Sequence, residues 1–387
     1  MSRSRKTTLS HRLEYLVFRT MESSLCLLSL ETTYELGAFV GRLAYRFARG
    51  PRRQVIRNLR FAFGGEKSLE EIEDLAARVF ERTGSNLFCS LRVPFLTEEQ
   101  IMNHLEVEGL DEILNKSGET GIVAVSPHMG NWEMLAQATQ LAQGAFEAGT
   151  HYRPLNNRLV NNLIERRRKQ RGLKLFAKRS SGHSMAAFVR SGGLLGILAD
   201  QRVGSRGFPG VFFGRPTTCS SLPSLMAKRG EGKLYLLVCR TIGHARWKIS
   251  FKAIEGDSAQ DCATELEEAW RSYPEDVFWF EERWRLNRQN KLSFLEKYPE
   301  DHTVTRPLRT VNLAPDEISL PTYHEGLMSE EPHPIPMDQP KEMIREVLAK
   351  INAATTSPVD VFFAPEAFCK KLSRLSGKIL VLPGIPR

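Results

Sequence analysis

A chain of 387 residues with 41% hydrophobic and 26% charged side chains has the balance of a folded globular protein, which excludes wholesale disorder. The 54 Lys and Arg against 45 Asp and Glu leave a net charge of +9, so the partners to expect are anionic: nucleic acid, acidic lipid, an acidic protein or a phosphorylated substrate. The six cysteines, at 26, 89, 219, 239, 262 and 369, form no C-x2-C pair, which argues against a zinc ribbon, a dithiol redox site or a disulfide scaffold and for a reducing compartment.

No run of about 20 apolar residues is present, the longest candidate, 23–30, being cut by Glu22 and Glu31, and the first residues lack the pattern of a secretory signal. Residues 12–48 instead place Leu13, Leu16, Val17, Met21, Leu25, Leu28, Leu36, Phe39, Leu43, Tyr45 and Phe47 at helical spacing. Between Arg42 and Arg60 seven arginines follow without an acidic residue. An apolar helical stretch next to a polybasic one is what an interfacial membrane anchor requires, and the expected N-terminal element is a helical, membrane-associating arm over 1–66. A core helix beside a solvated basic face is the alternative.

Leu69, Ile72, Leu75, Ala76, Val79 and Phe80 lie at helical spacing behind a Ser68-x-x-Glu71 capping box, predicting an amphipathic helix over 67–91. Short apolar runs then alternate with helical segments. Strands are predicted at 121–126, 173–176, 194–199, 211–214, 234–239 and 245–251, and helices near 132–143, 155–171, 183–190, 221–230 and 260–273. The apolar runs bounded by glycine and followed by helices predict buried strands, hence an α/β fold with a mixed sheet flanked by helices over 67–297. Residues 301–387 hold 11 of the 20 prolines and are nearly neutral, predicting one helix near 340–352 in an otherwise extended, weakly ordered appendage over 298–387.

The chemistry concentrates in three places. Ser126-Pro127-His128-Met129-Gly130-Asn131-Trp132-Glu133 follows the strand GIVAVS directly, and the carboxyl end of a strand opening onto a helix is where α/β folds place sites. Five positions apart on one helix, His128 and Glu133 would diverge by about 140°. His128 therefore belongs in the turn, with Gly130 and Asn131 making the bend and Glu133 in the first helical turn, from where its carboxylate could hold an imidazole acting as general base. Residues 151–190 carry 11 Lys and Arg, among them Arg153 and the run Arg166, Arg167, Arg168, against the single acid Glu165. Consecutive helical residues point about 100° apart, so at least one of the three arginines turns inward, and a cleft arginine needs an anion. Asp200-Gln201-Arg202 closes the strand LLGILA, again at a carboxyl end.

HMGNWE, YRPLNNRLVNNLIERRRKQRG, LLGILADQRVG, GVFFGRPTTCSSLPSLMAKRGE and YPEDVFWFEERWR, with RNLRFAF ahead of them, resemble in that order the landmarks of the bacterial lipid A biosynthesis (lauroyl/myristoyl) acyltransferases, within the lysophospholipid acyltransferase superfamily marked by H-x4-D/E. The resemblance spans about residues 12–290. It implies a glycerolipid acyltransferase-like fold at the cytoplasmic face of the inner membrane of a Gram-negative-type bacterium, with no metal and no organic cofactor. It implies an O-acyltransferase that uses an acyl carrier protein thioester as donor and a phosphorylated glycolipid as acceptor. By matching position His128, Glu133 and Arg168 would be catalytic, Arg168 pairing with the acidic member or the transition state, and Asn131, Arg153, Arg166 and Asp200 would bind substrate. An anionic membrane surface is the expected further partner, and positive charge beside the site favours a phosphorylated substrate over nucleic acid. The rival readings are an acyltransferase for another lipid acceptor, such as a mannosylated phosphatidylinositol or a lysophospholipid, and a non-catalytic basic protein binding membranes or nucleic acid.

Overall fold

The computed structural model describes residues 8–115, 120–137, 146–170, 172–177, 181–204, 207–284, 286, 292–299, 302–321, 323, 326–335, 337, 339–354, 357–376 and 379–387. These form two compact units rather than three consecutive segments: Met1–Ala48, Ala77–Asp200 and Ser221–Phe278 make the first, and Arg49–Ala76, Gln201–Ser220 and Trp279–Arg387 the second.

The first unit begins with two helices. α1 (Leu9–Leu25) starts at a capping box in which the Thr8 hydroxyl accepts from the His11 amide, and α2 (Leu30–Phe47) starts where the Ser29 hydroxyl accepts from Thr32. No helix among the described residues is long and apolar enough to cross a membrane. α4 (Leu69–Arg92), which enters the first unit at Ala77, starts in the second with the predicted box, Ser68 N–H donating to Glu71 Oε2 at 2.7 Å and Glu71 N–H to Ser68 Oγ at 3.2 Å. Glycine lets α2 and α4 touch backbone to backbone. A Cβ at Gly37 would lie 2.5 Å from the Gly84 carbonyl oxygen, and one at Gly41 2.2 Å from that of Phe80.

Seven strands form the main sheet: β1 (Leu105–Glu108), β2 (Ile122–Ser126), β3 (Ala148–Tyr152), β4 (Lys174–Ala177), β5 (Leu194–Leu198), β8 (Lys233–Gly243) and β9 (Arg246–Ala253). Their order is β1-β9-β8-β2-β5-β3-β4, with β8 and β9 an antiparallel hairpin and every other pairing parallel, so the sheet is mixed as predicted. β2 lies at the centre and every one of its residues is buried. Around the sheet run α5 (Glu98–His104), α6 (Leu110–Asn115), α7 (Glu133–Gln137), α8 (Arg158–Gln170), α9 (Gly182–Arg190), α10 (Leu222–Gly230) and α11 (Ala259–Ser272). The part of the predicted helix 132–143 beyond residue 137 lies outside the described residues, as do Arg171, Lys178 and Arg179 of the basic cluster.

The second unit contains α3 (Arg49–Phe63), the antiparallel hairpin of β6 (Phe208–Phe212) and β7 (Arg215–Cys219), and a parallel sheet. That sheet comprises β10 (Leu308–Asn312), β12 (Met328–Pro332), β13 (Val361–Ala364) and β14 (Leu380–Pro383) in the order β12-β10-β13-β14, with α12 (Lys341–Ala353) and α13 (Glu366–Leu375) connecting strands. The short strands β11 (Ile318–Ser319) and β15 (Ile385–Pro386) pair beside it. The expectation of an extended, weakly ordered appendage is therefore wrong. Leu308, Val311, Ile344, Leu348, Val361, Phe362, Phe363 and Leu372 form a core of their own. The prolines mislead because they punctuate elements instead of breaking them: Pro332 and Pro383 end strands, and Pro340 and Pro365 cap helices.

This sheet also claims part of the polybasic stretch. Arg57 donates to the Val359 carbonyl at 3.1 Å and Arg60 to that of Asn352 at 3.1 Å, while Arg306 reaches back to the Ala62 carbonyl at 2.6 Å. Those two arginines are partly buried structural donors, not solvated charges awaiting a membrane.

Candidate active site

Two neighbouring parallel strands build the site. β2 pairs with β5 so that Ser126 lies opposite Leu198, and Ala199 N–H donates to the Ser126 carbonyl at 3.0 Å. Two residues beyond each strand end stand His128 and Asp200. The buried Asp200 carboxylate takes the His128 backbone N–H on Oδ2 at 2.7 Å and meets the imidazole Nδ1 with Oδ1 at 2.7 Å. A carboxylate that grips both backbone and ring fixes where the imidazole sits and which tautomer it holds. With Nδ1–H on Asp200, Nε2 carries the ring's lone pair.

The turn that carries His128 is clamped from residues 276–278. Gly130 N–H donates to the Asp276 carbonyl at 2.9 Å and Phe278 N–H to the His128 carbonyl at 2.9 Å, and Met129 forms a bridge with Val277. Gly130 has φ +56°, and a Cβ there would stand 2.4 Å from the Cys239 carbonyl oxygen, so the position demands glycine on both counts. The Asp276 carboxylate accepts from Thr241 N–H at 2.8 Å and the Thr241 hydroxyl at 2.7 Å, and burial pushes its pKa up. The Trp132 ring lies edge-on between His128 and Phe278, 5.6 Å from each centroid.

Glu133 opens α7, and its carboxylate binds the guanidinium of Arg168 on α8, Nη2 to Oε1 and Nε to Oε2 at 3.4 Å. The two side chains keep 25% and 21% of their surface exposed, so solute can reach the pair. Sequence spacing suggested that Glu133 holds the imidazole; among the described contacts the ring is bonded by the carboxylate of Asp200, which strand register brings there. Asp200, assigned to substrate, thus sits under the histidine.

Arg166, Arg167 and Arg168 separate as helical geometry requires, with two of the three turned in. Arg167 forks onto Glu22 of α1, Nη2 to Oε2 at 2.6 Å and Nη1 to Oε1, with its guanidinium 4.8 Å from the Phe95 ring centroid. Arg166 remains exposed, lining a shallow hollow with Asn162, Glu165 and Lys169, and Arg153 is exposed just past β3. Neither is brought to the His128–Asp200 pair by a described hydrogen bond. Asn131 is buried at 1% exposure, and neither end of its amide has a hydrogen-bond partner among the described residues. An orphaned buried amide costs about 1–3 kcal/mol, which marks the turn after His128 as incomplete by itself. Near the hollow Glu165 accepts from Tyr152 Oη at 2.5 Å, and burial together with that carboxylate pushes the phenol up to about 12.

The sequence reading singled out neither Asp276 nor the Glu22–Arg167 pair. The first lay inside the YPEDVFWFEERWR landmark. The second had one signal: Glu22 interrupts an otherwise apolar stretch, and an acid in such a place wants a buried cation.

No curated protein matches the chain. A model of the bacterial lipid A biosynthesis acyltransferase family matches residues 4–286, which include His128, Asn131, Glu133, Arg153, Arg166, Arg168 and Asp200. A match over more than half of the chain, running through both strand ends that build the site, makes the chain a member of the bacterial lipid A biosynthesis acyltransferase family and so an acyltransferase.

Proposed function

We propose that the protein transfers a fatty acyl chain from an acyl carrier protein thioester to a hydroxyl of an acylated lipid A precursor, at the cytoplasmic face of the inner membrane. The observation that carries the mechanism is the imidazole held at Nδ1 by a buried carboxylate, beside a solvent-reachable arginine–carboxylate pair. Nε2 of His128 takes the proton from the acceptor hydroxyl as its oxygen attacks the thioester carbonyl carbon. The tetrahedral intermediate then collapses, the C–S bond breaks, and the thiolate of the carrier leaves with the proton that His128 returns. Asp200 keeps the ring oriented. Arg168, aligned by Glu133, supplies positive charge for the oxyanion.

The exposed basic side chains of α8, Arg166 and Lys169, with Arg153 nearby in sequence, suit an acidic carrier and a phosphorylated acceptor. Apolar side chains left exposed on α1 and α2, among them Leu13, Leu16, Phe39 and Phe47, support association with a membrane surface. The test is mass spectrometry of a lipid A precursor incubated with the purified protein and either acyl carrier protein or coenzyme A thioester. The precursor should gain one acyl chain less water, and faster with the carrier protein. An unchanged precursor, or gain from coenzyme A alone, would refute the proposal in its acceptor or its donor respectively.

A further inference from the structure

α1 has two faces of opposite character. Leu9, Leu13, Leu16, Val17 and Met21 are exposed and sweep about 140° of its circumference. On the opposite side Glu22, 1% exposed, takes the fork of Arg167 and a bond from Arg19 at 2.9 Å, while Glu14, exposed at the edge of the stripe, accepts from Asn157 Nδ2 at 2.9 Å. Asn157 also donates to the His11 carbonyl at 2.8 Å. The outward face is mainly apolar, interrupted by Thr20 and Ser24 and edged by Arg12 on one side and Glu14 on the other, while Glu22 is turned away from it. α2 adds Leu36, Phe39, Val40, Leu43 and Phe47 on one side of its own. Apolar stripes edged by cations complement an anionic bilayer surface.

The anchor point on α8 matters because of what stands next to it. Arg167 bonds to Glu22, and the following residue, Arg168, bonds to Glu133 of α7. Successive residues of one helix cannot rotate independently, so a force that turns or shifts α1 acts through Glu22 on the direction in which Arg168 points.

We propose that Glu22 is a positioning residue: through Arg167 it couples docking of α1 on an anionic lipid surface to the placement of Arg168 against Glu133. The protein would then work at full rate only when seated on lipid. This deepens the function proposed above and rests on it for the meaning of Arg168. The coupling itself is a property of α1 and α8 that can be read without turnover.

The experiment compares wild type with Glu22→Gln by hydrogen exchange of the amides of residues 158–170 and by co-sedimentation, with and without vesicles of phosphatidylethanolamine and phosphatidylglycerol. In the wild type, vesicles should slow exchange in α8 by about tenfold. Glu22→Gln should sediment with the vesicles equally well while its α8 exchange stays at the lipid-free rate. In acyl transfer the vesicle-dependent rise in kcat should vanish in Glu22→Gln, with KM for the donor unchanged and Glu22→Asp restoring part of the rise. Failure of the wild type to bind vesicles, indifference of its α8 exchange to lipid, or a Glu22→Gln protein that responds like wild type would each overturn the proposal. If Glu22→Gln does not fold, Arg167→Lys, which keeps the charge and loses the fork, is read by the same two measurements. A protein that shows the exchange response and transfers no acyl chain would defeat the function proposed above and leave the coupling standing.

Discussion

Two arginine–carboxylate pairs, one in each unit, use the same groups under different conditions. Arg168 and Glu133 are 21% and 25% exposed, at the mouth of a turn that also holds a histidine. Arg215 and Asp360 meet at 2.5 Å with 1% exposure each, the guanidinium lying 4.5 Å from the Phe61 ring centroid. The first is open to solute; the second is sealed and can only hold its neighbours in place. The chemistry of a pair does not announce its role, and its access to solution does.

Breaking the exposed region should cost activity and leave stability alone. His128→Ala should lower acyl transfer by about 10² to 10⁴, the range for losing a general base, with the urea midpoint unchanged; near-normal single-turnover rates would remove His128 from the mechanism. Asp200→Asn keeps the shape under the imidazole and withdraws the charge, so turnover should fall by about 10² or more.

Breaking the sealed pair should do the reverse. Asp360→Ala leaves Arg215 buried without its counter-charge, and urea unfolding should show a loss of about 3–5 kcal/mol. Arg215→Met with Asp360→Leu, which replaces both charges by apolar groups, should recover most of it. Equal losses in the single and double variants would mean that packing rather than charge governs the site.

Within α8 the contrast can be sharpened further. Arg168→Lys keeps the charge and loses the fork, and should reduce turnover about tenfold at every salt concentration. Arg166→Ala, on the exposed side, should change affinity by about twofold and only at low salt. Identical salt profiles would place Arg168 among the solvated cations.

The smallest effect belongs to Glu331, whose carboxyl the hydrogen-bonded Arg309 holds below its ordinary 4.5. Because the folded-state value is lowered, the pair stabilises above the ordinary value, and that stability is lost as pH falls through the lowered one. Glu331 is 43% exposed, which screens the pair, so Glu331→Gln should cost about 0.5 kcal/mol at pH 7 and progressively less as pH falls through the lowered value. A gap that persists in acid would assign the loss to shape instead of charge.

What could be read in the sequence follows the same division between the visible and the sealed. β2, β5 and β8 are apolar runs and announce themselves. β3 (AGTHY), β7 (RPTTC) and β10 (LRTVN) mix polar residues into strands, and their polarity hides them. In β10 the polar side chains are satisfied internally: Arg309 by Glu331 and backbone carbonyls, Asn312 by Glu330 and its own loop. The motif around His128 was legible as a strand-end turn. Its partner was not, because Asp200 lies 72 residues away and only the β2–β5 register puts them together. Likewise the arginine run showed that some side chain must face inward, while which helix received it depended on where α1 docked.

The family match ends at residue 286, ahead of the C-terminal sheet, yet Arg215 lies within the matched span and its counter-charge, Asp360, does not. A segment that supplies the counter-charge of a buried arginine in this way is not optional. Deleting the C-terminal sheet would leave the buried Arg215 cation without its counter-charge. The C-terminal sheet is thereby tied to the matched span: its loss would be felt as instability in a hairpin strand that lies outside it.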